Sequence, residues 1–367
     1  MEVKMKKIVA LLLALVMVLG LAACGTNNNN ATPQGNNTNE ASKEITEWPV
    51  KKVDVLIPAA VGAPLDQSGR IMIDFLNNVA FKDQGVVFTP VNDAAGGGAK
   101  LFQQLANDKG DGSVIMFHGA GAIVSYYSGL VEVNLADRTK VQAVAGNVGQ
   151  AQPSGGVFLV SPKNEKMKDI NVFYPDFVQY VEAHPGEVRV GYTEGTPHEA
   201  RLRLMFDYYK ITDKVQWISG NNSTTQSELL GGNIEVACLT ETAGAKFVQS
   251  GDLRGILNSV LNKDNYTEDL KPLDPIQIVS DIVTDPAQAE KLVCAWPMTI
   301  YASAKMSREM CEYLNSMVIK FADNKEYMDR LRKEMGSTNT YQIFTYDEIN
   351  EITQTADKQI KEIFGGK

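Results

Sequence analysis

Histidine is scarce in this chain of 367 residues. The three histidines are His118, His184 and His198, and no two of them have the spacing of a metal-binding pair. The sequence also lacks a Gly-x-Ser-x-Gly element, the sharp turn that exposes a nucleophilic serine. We therefore expect no bound metal, no cofactor and no enzymatic activity.

Cysteine is almost as rare. Apart from Cys24, the chain has Cys238, Cys294 and Cys311, an odd number without close spacing. This pattern argues against a disulfide scaffold and against a cysteine-based zinc site. We expect buried free thiols, and a bridge between Cys294 and Cys311 remains open as an alternative.

Basic residues are fewer than acidic ones, and the formal net charge is -9. Residues 1–23 contribute +2, from three lysines and Glu2, so the rest of the chain carries -11. Surfaces that bind nucleic acid are basic, which argues against a nucleic-acid partner. An anionic ligand would have to be attracted by local groups, not by the overall field.

Long hydrophobic runs are absent except at the N-terminus. The apolar run at residues 8–20 has 13 residues, fewer than the ~20 that span a bilayer as a helix. It follows Lys4, Lys6 and Lys7 and precedes small residues, which is the layout of an export signal. The sequence therefore predicts an exported protein.

The segment Leu-Ala-Ala-Cys at residues 21–24 resembles a bacterial lipobox, in which the cysteine is diacylated and the chain is cut just before it. This predicts a signal peptide over residues 1–23 and a lipid anchor at Cys24, on the outer face of the cytoplasmic membrane. An ordinary signal peptide with a chance cysteine is the alternative. Residues 24–47 are rich in Asn, cannot bury a core, and are predicted to be a flexible tether.

About 320 residues remain from Trp48 onward, enough for two lobes. Short apolar strands alternate with amphipathic helices, and the pattern repeats in a second block. This alternation predicts α/β lobes, each with a parallel sheet covered by helices on both faces. We place lobe 1 at residues 48–155 and 256–367, and lobe 2 at residues 156–255.

Two loops of small residues follow the first two predicted strands. They are PAAVGAPLD at residues 58–66 and NDAAGGGAK at residues 92–100. Ligands collect at the carboxyl ends of strands in such sheets, and glycine and alanine leave backbone N–H groups uncovered. With two helix N-termini behind them, the loops predict a carboxylate or phosphate site without arginine. The alternative is that both are ordinary turns between strand and helix.

Further loops of the same kind follow later strands, and none is a nucleotide motif. AAGGGAKL lacks the Gly-Lys-Ser/Thr of a P-loop, and in GAGAIV the third glycine of a dinucleotide fingerprint is replaced by Val124. His198 is either a hydrogen-bond donor to a ligand or a surface residue in the first turn of its helix. The later loops are residues 118–122, 193–198, 219–224 and 239–242.

The order and spacing of these loops resemble the extracytoplasmic receptors of tripartite tricarboxylate transporters. Their first loop reads Pro-Phe-x-x-Gly-Gly-x-x-Asp with an Arg four residues later. Here Ala59 replaces the Phe and Ala63 replaces the second Gly. The matching positions are Pro58, Gly62, Asp66, Arg70, Asn92, Gly97, Gly98, Pro185, Gly186, Gly191, Gly195 and His198.

The resemblance implies a type II periplasmic-binding-protein fold, with two α/β lobes and a ligand cleft between them. It implies that backbone amides of lobe 1 bind a carboxylate of the ligand and that lobe 2 contacts the rest of the ligand. Carried over by position, the lobe 1 residues are Ala59, Ala60, Gly62, Ala63, Pro64, Asp66, Ala95, Gly96, Gly97 and Gly98. The third loop adds His118, Gly119 and Ala120 as candidates. The lobe 2 residues are Thr193, Gly195, Thr196, His198, Asn221, Asn222, Thr240 and Glu241.

We therefore predict a monomeric solute-binding lipoprotein that captures a small organic acid, such as a di- or tricarboxylate, and delivers it to the membrane permease subunits of a tripartite transporter. A receptor for an ABC importer is the alternative. Asp66 and Glu241 leave open that the ligand also carries an amine. Arg70 is expected to form a structural ion pair, and a ligand contact is the alternative.

Overall fold

The structure is a computed structural model that describes residues 45–147, 155–264, 266–293, 296–335 and 343–364, without the side chain of Ala120. The predicted signal peptide, Cys24, most of the tether and Cys294 lie outside the described residues. Among the described residues, no helix combines the length and the apolar character needed to cross a membrane.

The described residues form ten strands, which pair into two five-stranded sheets. The order is β2-β1-β3-β10-β4 in the first sheet and β7-β6-β8-β5-β9 in the second, so the sheets have the same plan, strand by strand. The strands are β1 (Lys52–Ile57), β2 (Val87–Asn92), β3 (Val114–Gly119), β4 (Val141–Gly146), β5 (Gly156–Val160), β6 (Val188–Thr193), β7 (Val215–Gly220), β8 (Val236–Thr240), β9 (Arg254–Asn258) and β10 (Met298–Ser303).

Each sheet is mixed, whereas the sequence pattern predicted parallel sheets. The first three strands of each order are parallel, but β10 and β5 run antiparallel to both neighbours. Each of these strands follows a strand of the other sheet, β4 before β5 and β9 before β10. Neither is therefore reached by a helical crossover within its own sheet, the connection that makes neighbouring strands parallel. The predicted α/β class with two lobes is confirmed.

Twelve α-helices among the described residues cover the two sheets. In β1, Val53, Val55 and Ile57 pack into one hydrophobic cluster and Leu56 into another, so this strand is buried on both faces. The helices are α1 (Pro64–Phe75), α2 (Ala99–Asn107), α3 (Ile123–Tyr127), α4 (Val178–Ala183), α5 (Pro197–Tyr208), α6 (Asn222–Leu230), α7 (Glu241–Ser250), α8 (Val279–Ile282), α9 (Pro286–Val293), α10 (Arg308–Ile319), α11 (Lys325–Met335) and α12 (Tyr346–Ile363).

The chain crosses from the first sheet to the second between β4 and β5. The return crossing expected near residue 256 falls inside β9, a strand of the second sheet. Leu270, Val279 and Leu292 also pack in the hydrophobic clusters of the second sheet. We propose that lobe 2 extends to Val293 and that the return crossing lies just before β10.

Two of the cysteines belong to the described residues. Cys238 and Cys311 are free and buried, as the sequence predicted for its thiols. Burial raises the pKa of each thiol to about 12, so both are unreactive at neutral pH.

Candidate functional site

The first two loops meet at the carboxyl ends of β1 and β2. Gly98 ends the second loop with a φ of +82°, and a Cβ added there would lie 2.3 Å from the Cβ of Pro58 in the first loop. Only glycine meets both conditions, the left-handed backbone and the close approach of the other loop. The predicted lobe 1 residues therefore lie together, with Ala60, Gly62 and Ala95–Gly97 exposed to solvent.

Asp66 holds the first loop in shape from the first turn of α1. Its side chain is 1% exposed, and Oδ2 accepts the N–H of Gly62 at 2.7 Å. Arg70 Nε donates to the same carboxylate at 2.8 Å. Burial alone would raise the pKa of Asp66, but hydrogen bonds from Arg70, Gly62 and Asn92 outweigh it and hold the pKa below its ordinary value. Asp66 therefore acts as a structural anion.

Asn92, at the end of β2, joins the second loop to the first. Its Nδ2 donates to Asp66 Oδ1 at 3.0 Å and to the backbone oxygen of Ala59 at 3.1 Å. Arg70 Nη2 donates to the Oδ1 of Asn92 at 3.1 Å. Both loops are thus parts of one hydrogen-bonded unit, in which Arg70 is the structural ion-pair partner that the sequence suggested.

The N–H groups of this unit are less open than the sequence predicted. The prediction left the Gly62 N–H free for an anion, but the Asp66 carboxylate occupies it. Asp93 Oδ1 likewise accepts the N–H of Ala95 at 2.9 Å. In the part of the chain that the structure describes, the N–H groups of Ala60 and Val61 make no hydrogen bond.

The helices behind these two loops begin without a side-chain cap. The N-cap residues are Ala63 for α1 and Gly98 for α2, and neither has a side chain that can accept a hydrogen bond. No side chain accepts a first-turn N–H of either helix, but Pro64 has no N–H and the N–H of Ala99 is accepted by the backbone oxygen of Gly96. The remaining first-turn N–H groups can bond to an external acceptor such as a carboxylate, although the Asp66 carboxylate already lies at the first turn of α1.

The corresponding helices of lobe 2 begin differently, because each is capped by its own side chain. Thr196 Oγ1 accepts the N–H of Glu199 at the start of α5. Asn221 Oδ1 accepts the N–H of Thr224 at 2.9 Å at the start of α6, and Thr240 Oγ1 accepts the N–H of Ala243 at the start of α7. Among the helices that follow the candidate loops, α5, α6 and α7 are therefore capped by their own side chains, and α1 and α2 are not.

In lobe 2, as in lobe 1, a buried carboxylate accepts the N–H of a loop glycine and pairs with an arginine four residues later. Glu199 is 2% exposed, accepts the N–H of Gly195 at 2.8 Å and accepts Arg203 Nε at 2.9 Å. Residues 62–70 and 195–203 share the pattern Gly-x-Pro-x-acid-x-x-x-Arg, a repeat that the prediction did not use to identify Glu199 or Arg203. Burial raises the pKa of Glu199 above its ordinary value despite its hydrogen bonds from Arg203 and Gly195.

The lobe 2 loop lies against lobe 1. Ser125 Oγ, on α3, donates to the backbone oxygen of Gly195 at 2.9 Å in a buried position. A Cβ at Gly195 would lie 2.5 Å from Leu130 Cδ1, and one at Gly121 would lie 2.6 Å from Pro197 Cγ. The predicted ligand loops of the two lobes are therefore neighbours, and Ser125 is a contact that sequence reasoning missed.

The two candidate histidines are neutral at physiological pH. Burial lowers the pKa of His118 to about 4, and burial followed by the charge of Arg201 lowers that of His198 to about 3. His118 Nδ1 accepts the N–H of Gly119 at 2.8 Å. His198 Nδ1 is buried and has no hydrogen-bond partner among the described residues. Neither ring supplies a cation.

Glu241 lies in a buried network instead of the open part of the cleft. It is 7% exposed, and its oxygens accept the Gly155 N–H at 2.9 Å, Asn258 Nδ2 at 2.9 Å and Tyr266 OH at 2.5 Å. Burial and the neighbouring Glu241 raise the pKa of Tyr266. The position predicted to contact the ligand therefore ties α7 to Gly155, next to the first crossing between the sheets.

A separate cavity of about 390 Å³ lies between α9 and α12. None of its lining residues belongs to the predicted site. They are Glu290, Trp296, Phe344, Glu348, Glu351, Ile352, Thr355, Ala356 and Gln359. Among the described residues, no group of three or more His, Cys, Asp or Glu side chains is arranged to hold a metal ion.

The fold is similar to that of solved periplasmic solute-binding proteins. MatC (Rpa3494) from Rhodopseudomonas palustris, with bound malate, has a TM-score of 0.61 and 14% identity, over 86% of this chain and 100% of that one. Rpa4515 from R. palustris, with adipate, has a TM-score of 0.62 and 14% identity, over 87% and 99%. A TctC solute-binding protein from Polaromonas has a TM-score of 0.64 and 14% identity, over 86% and 98%.

At this level of identity the likeness establishes the fold. The chain has the two-lobed fold of these binding proteins, as the resemblance in the sequence implied. No family model matches the sequence, and no curated protein matches it.

Proposed function

We propose that this protein is an extracytoplasmic receptor that binds a small organic carboxylate and delivers it to the membrane permease of a tripartite transporter. The observation that carries the proposal is that two helix N-termini without side-chain caps follow the two loops that touch at Pro58 and Gly98. Leaving a helix uncapped costs about 1 kcal/mol, which a bound carboxylate would recover. The fold and the malate and adipate bound by two structural neighbours support the same class of ligand.

The difference between the lobes suggests an orientation for the ligand. A carboxylate end would bind lobe 1, where the first-turn N–H groups lack a side-chain acceptor. The other end would face Thr193, Asn222 and the loop around Gly195 in lobe 2. The hydrogen bond between Ser125 and Gly195, which joins this loop to lobe 1, supports the arrangement. Ligand binding would then favour the closed arrangement of the lobes.

The remaining parts of the proposal come from the sequence. A signal peptide at residues 1–23 and lipidation of Cys24 would hold the receptor at the outer face of the membrane, as a monomer. The protein would bind its ligand without chemical change, so no turnover is expected.

A direct test is calorimetric titration of the purified full chain, in detergent, with malate, adipate, succinate and citrate. Fluorescence of Trp217 and Trp296 provides a second readout. We expect saturable binding of one molecule of at least one acid, with the acid recovered unchanged. Absence of saturable binding to every carboxylate, or conversion of the acid to a product, would contradict the proposal.

A further inference from the structure

The loops that follow β1, β2, β3, β6, β7 and β8 contain five carboxylates. Four of them accept a hydrogen bond from a backbone N–H group. Asp66 accepts the Gly62 N–H, Asp93 that of Ala95, Glu199 that of Gly195 and Glu241 that of Gly155, all at 2.7 to 2.9 Å. The fifth, Glu194, is exposed and makes no hydrogen bond or ion pair within the described residues.

The three buried carboxylates also have side-chain partners. Asp66 binds Arg70 and Asn92, Glu199 binds Arg203, and Glu241 binds Asn258 and Tyr266. Moving any of them to an incoming ammonium group would break at least two hydrogen bonds to a buried carboxylate. The internal stretches outside the described residues, 148–154, 265, 294–295 and 336–342, contain no Asp or Glu and so add no carboxylate.

The polar side chains of lobe 2 offer donors. Asn222 Oδ1 accepts Thr193 Oγ1 at 2.9 Å, and Asn221 Oδ1 accepts the Thr224 N–H. The amide oxygens are thus engaged, and the Nδ2 groups remain to donate. Thr240 Oγ1 is likewise occupied as an acceptor by the Ala243 N–H. These groups suit a ligand that presents oxygen acceptors.

We propose that the ligand carries no ammonium group, so that this receptor selects dicarboxylates and hydroxy or keto acids over amino acids of the same skeleton. The inference rests on the proposed carboxylate-receptor function and narrows its substrate class. An ammonium group enclosed in this cleft would lose its hydration without gaining a buried carboxylate, which is costly. Among the described residues, Glu194 is the one carboxylate of these loops that has no hydrogen bond to give up, and Asp93 has only an exposed one to the Ala95 N–H.

Matched pairs of acids test this inference on the full chain at pH 7: succinate against L-aspartate, glutarate against L-glutamate, and adipate against L-2-aminoadipate. In each pair that binds, calorimetry is expected to show an affinity for the plain diacid at least about tenfold higher, which corresponds to about 1.4 kcal/mol. The Glu194→Gln variant is expected to keep the same preference.

Equal or tighter binding of the amino acid would overturn the inference and leave the carboxylate receptor standing. If Glu194→Gln then removed that binding, Glu194 would be the amine site, which also overturns it. Binding of none of the six acids, and of neither malate nor citrate, would instead contradict the proposed function, and the inference would fall with it.

Discussion

The Asp66 carboxylate accepts a hydrogen bond from the backbone N–H of Gly62 at 2.7 Å, four residues earlier in the chain. The equivalent bond in lobe 2 joins Glu199 to Gly195 at 2.8 Å. Each carboxylate is buried at the first turn of a helix that follows a strand, and each is paired with an arginine four residues later. The two lobes therefore shape their cleft loops by the same means.

Replacing Asp66 with Asn should destabilise the protein and weaken ligand binding. The amide cannot accept from Gly62, Arg70 and Asn92 as the carboxylate does, so we expect a loss of about 1–3 kcal/mol in the free energy of unfolding and about tenfold or more in affinity. The matched control is Asp74→Asn on the same helix, which removes a partly exposed ion pair to Arg330. Such pairs contribute about 0–1 kcal/mol, and affinity should not change. Equal effects of the two substitutions on affinity would contradict the role of Asp66.

The two carboxylates should respond to pH in opposite directions. The pKa of Asp66 is lowered in the folded protein, so its stabilising contribution is present above the ordinary Asp pKa of about 3.9 and is lost as pH falls through the folded value. The pKa of Glu199 is raised, so the folded state takes up its proton first, and stability gains as pH falls through the folded value toward about 4.3.

Urea unfolding between pH 3 and pH 7 checks this prediction. The free energy of unfolding of Asp66→Asn should approach that of the wild type at the acidic end of the range. The free energy of unfolding of Glu199→Gln should fall further below that of the wild type as pH falls from 7 toward about 4.3. Deficits that change with pH in the same direction for both variants would show that the environments of the two groups are wrongly assigned.

Gly98→Ala should disrupt the contact between the first two loops. The new Cβ would lie 2.3 Å from Pro58 Cβ at a φ of +82°, so the loops must separate, at a cost of about 1–3 kcal/mol in stability and a clear loss of affinity. Gly96→Ala is the control, because Gly96 also has a positive φ, +55°, but nothing lies within 4 Å of its added Cβ. It should cost only about 1–2 kcal/mol of backbone strain. Calorimetric affinities that are the same for both variants would argue against a binding role for this contact.

Ser125→Ala should weaken binding by removing the hydrogen bond between the lobes. The buried oxygen of Gly195 would lose its donor, which costs about 1–3 kcal/mol. Ser128→Ala, three residues later, is the comparison, because Ser128 Oγ is buried without a hydrogen-bond partner among the described residues. Thermal unfolding with and without ligand should show a smaller ligand-induced rise in Tm for Ser125→Ala alone. An undiminished rise in Tm would mean that the Ser125–Gly195 hydrogen bond does not contribute to ligand binding.

Local patterns in the sequence were enough to predict the loops and the helices behind them. Small residues after each strand marked the carboxyl ends of β1 and β2, and helical periodicity marked α1 and α2. The membership of β10 in the first sheet depends on pairing with strands more than about 150 residues earlier in the chain, which periodicity does not record. The engagement of the Gly62 N–H depends on where one side chain points, and the same residues would also be compatible with a free N–H.

Lobe 2 was harder to interpret because its polar residues have two possible uses. Thr196, Asn221 and Thr240 are predicted to contact the ligand, and each also caps a helix in the structure. N-capping requires the same residue types that hydrogen-bond a ligand. The repeat of Gly-x-Pro-x-acid-x-x-x-Arg was the signal that would have identified Glu199 and Arg203 from the sequence.

The most direct test of the account is the Ala63→Ser variant, because Ala63 has the backbone conformation of an N-cap but no acceptor. A serine there should cap α1 and raise the free energy of unfolding of the ligand-free protein by about 0.5–2 kcal/mol. It should also weaken the binding of whichever acid the wild type binds best, because the new hydroxyl competes for the same N–H groups. Thr196→Ser, which keeps the cap of α5, should change neither quantity much. A stabilised Ala63→Ser variant with unchanged or tighter carboxylate binding would contradict the proposal that the open end of α1 is the anion site.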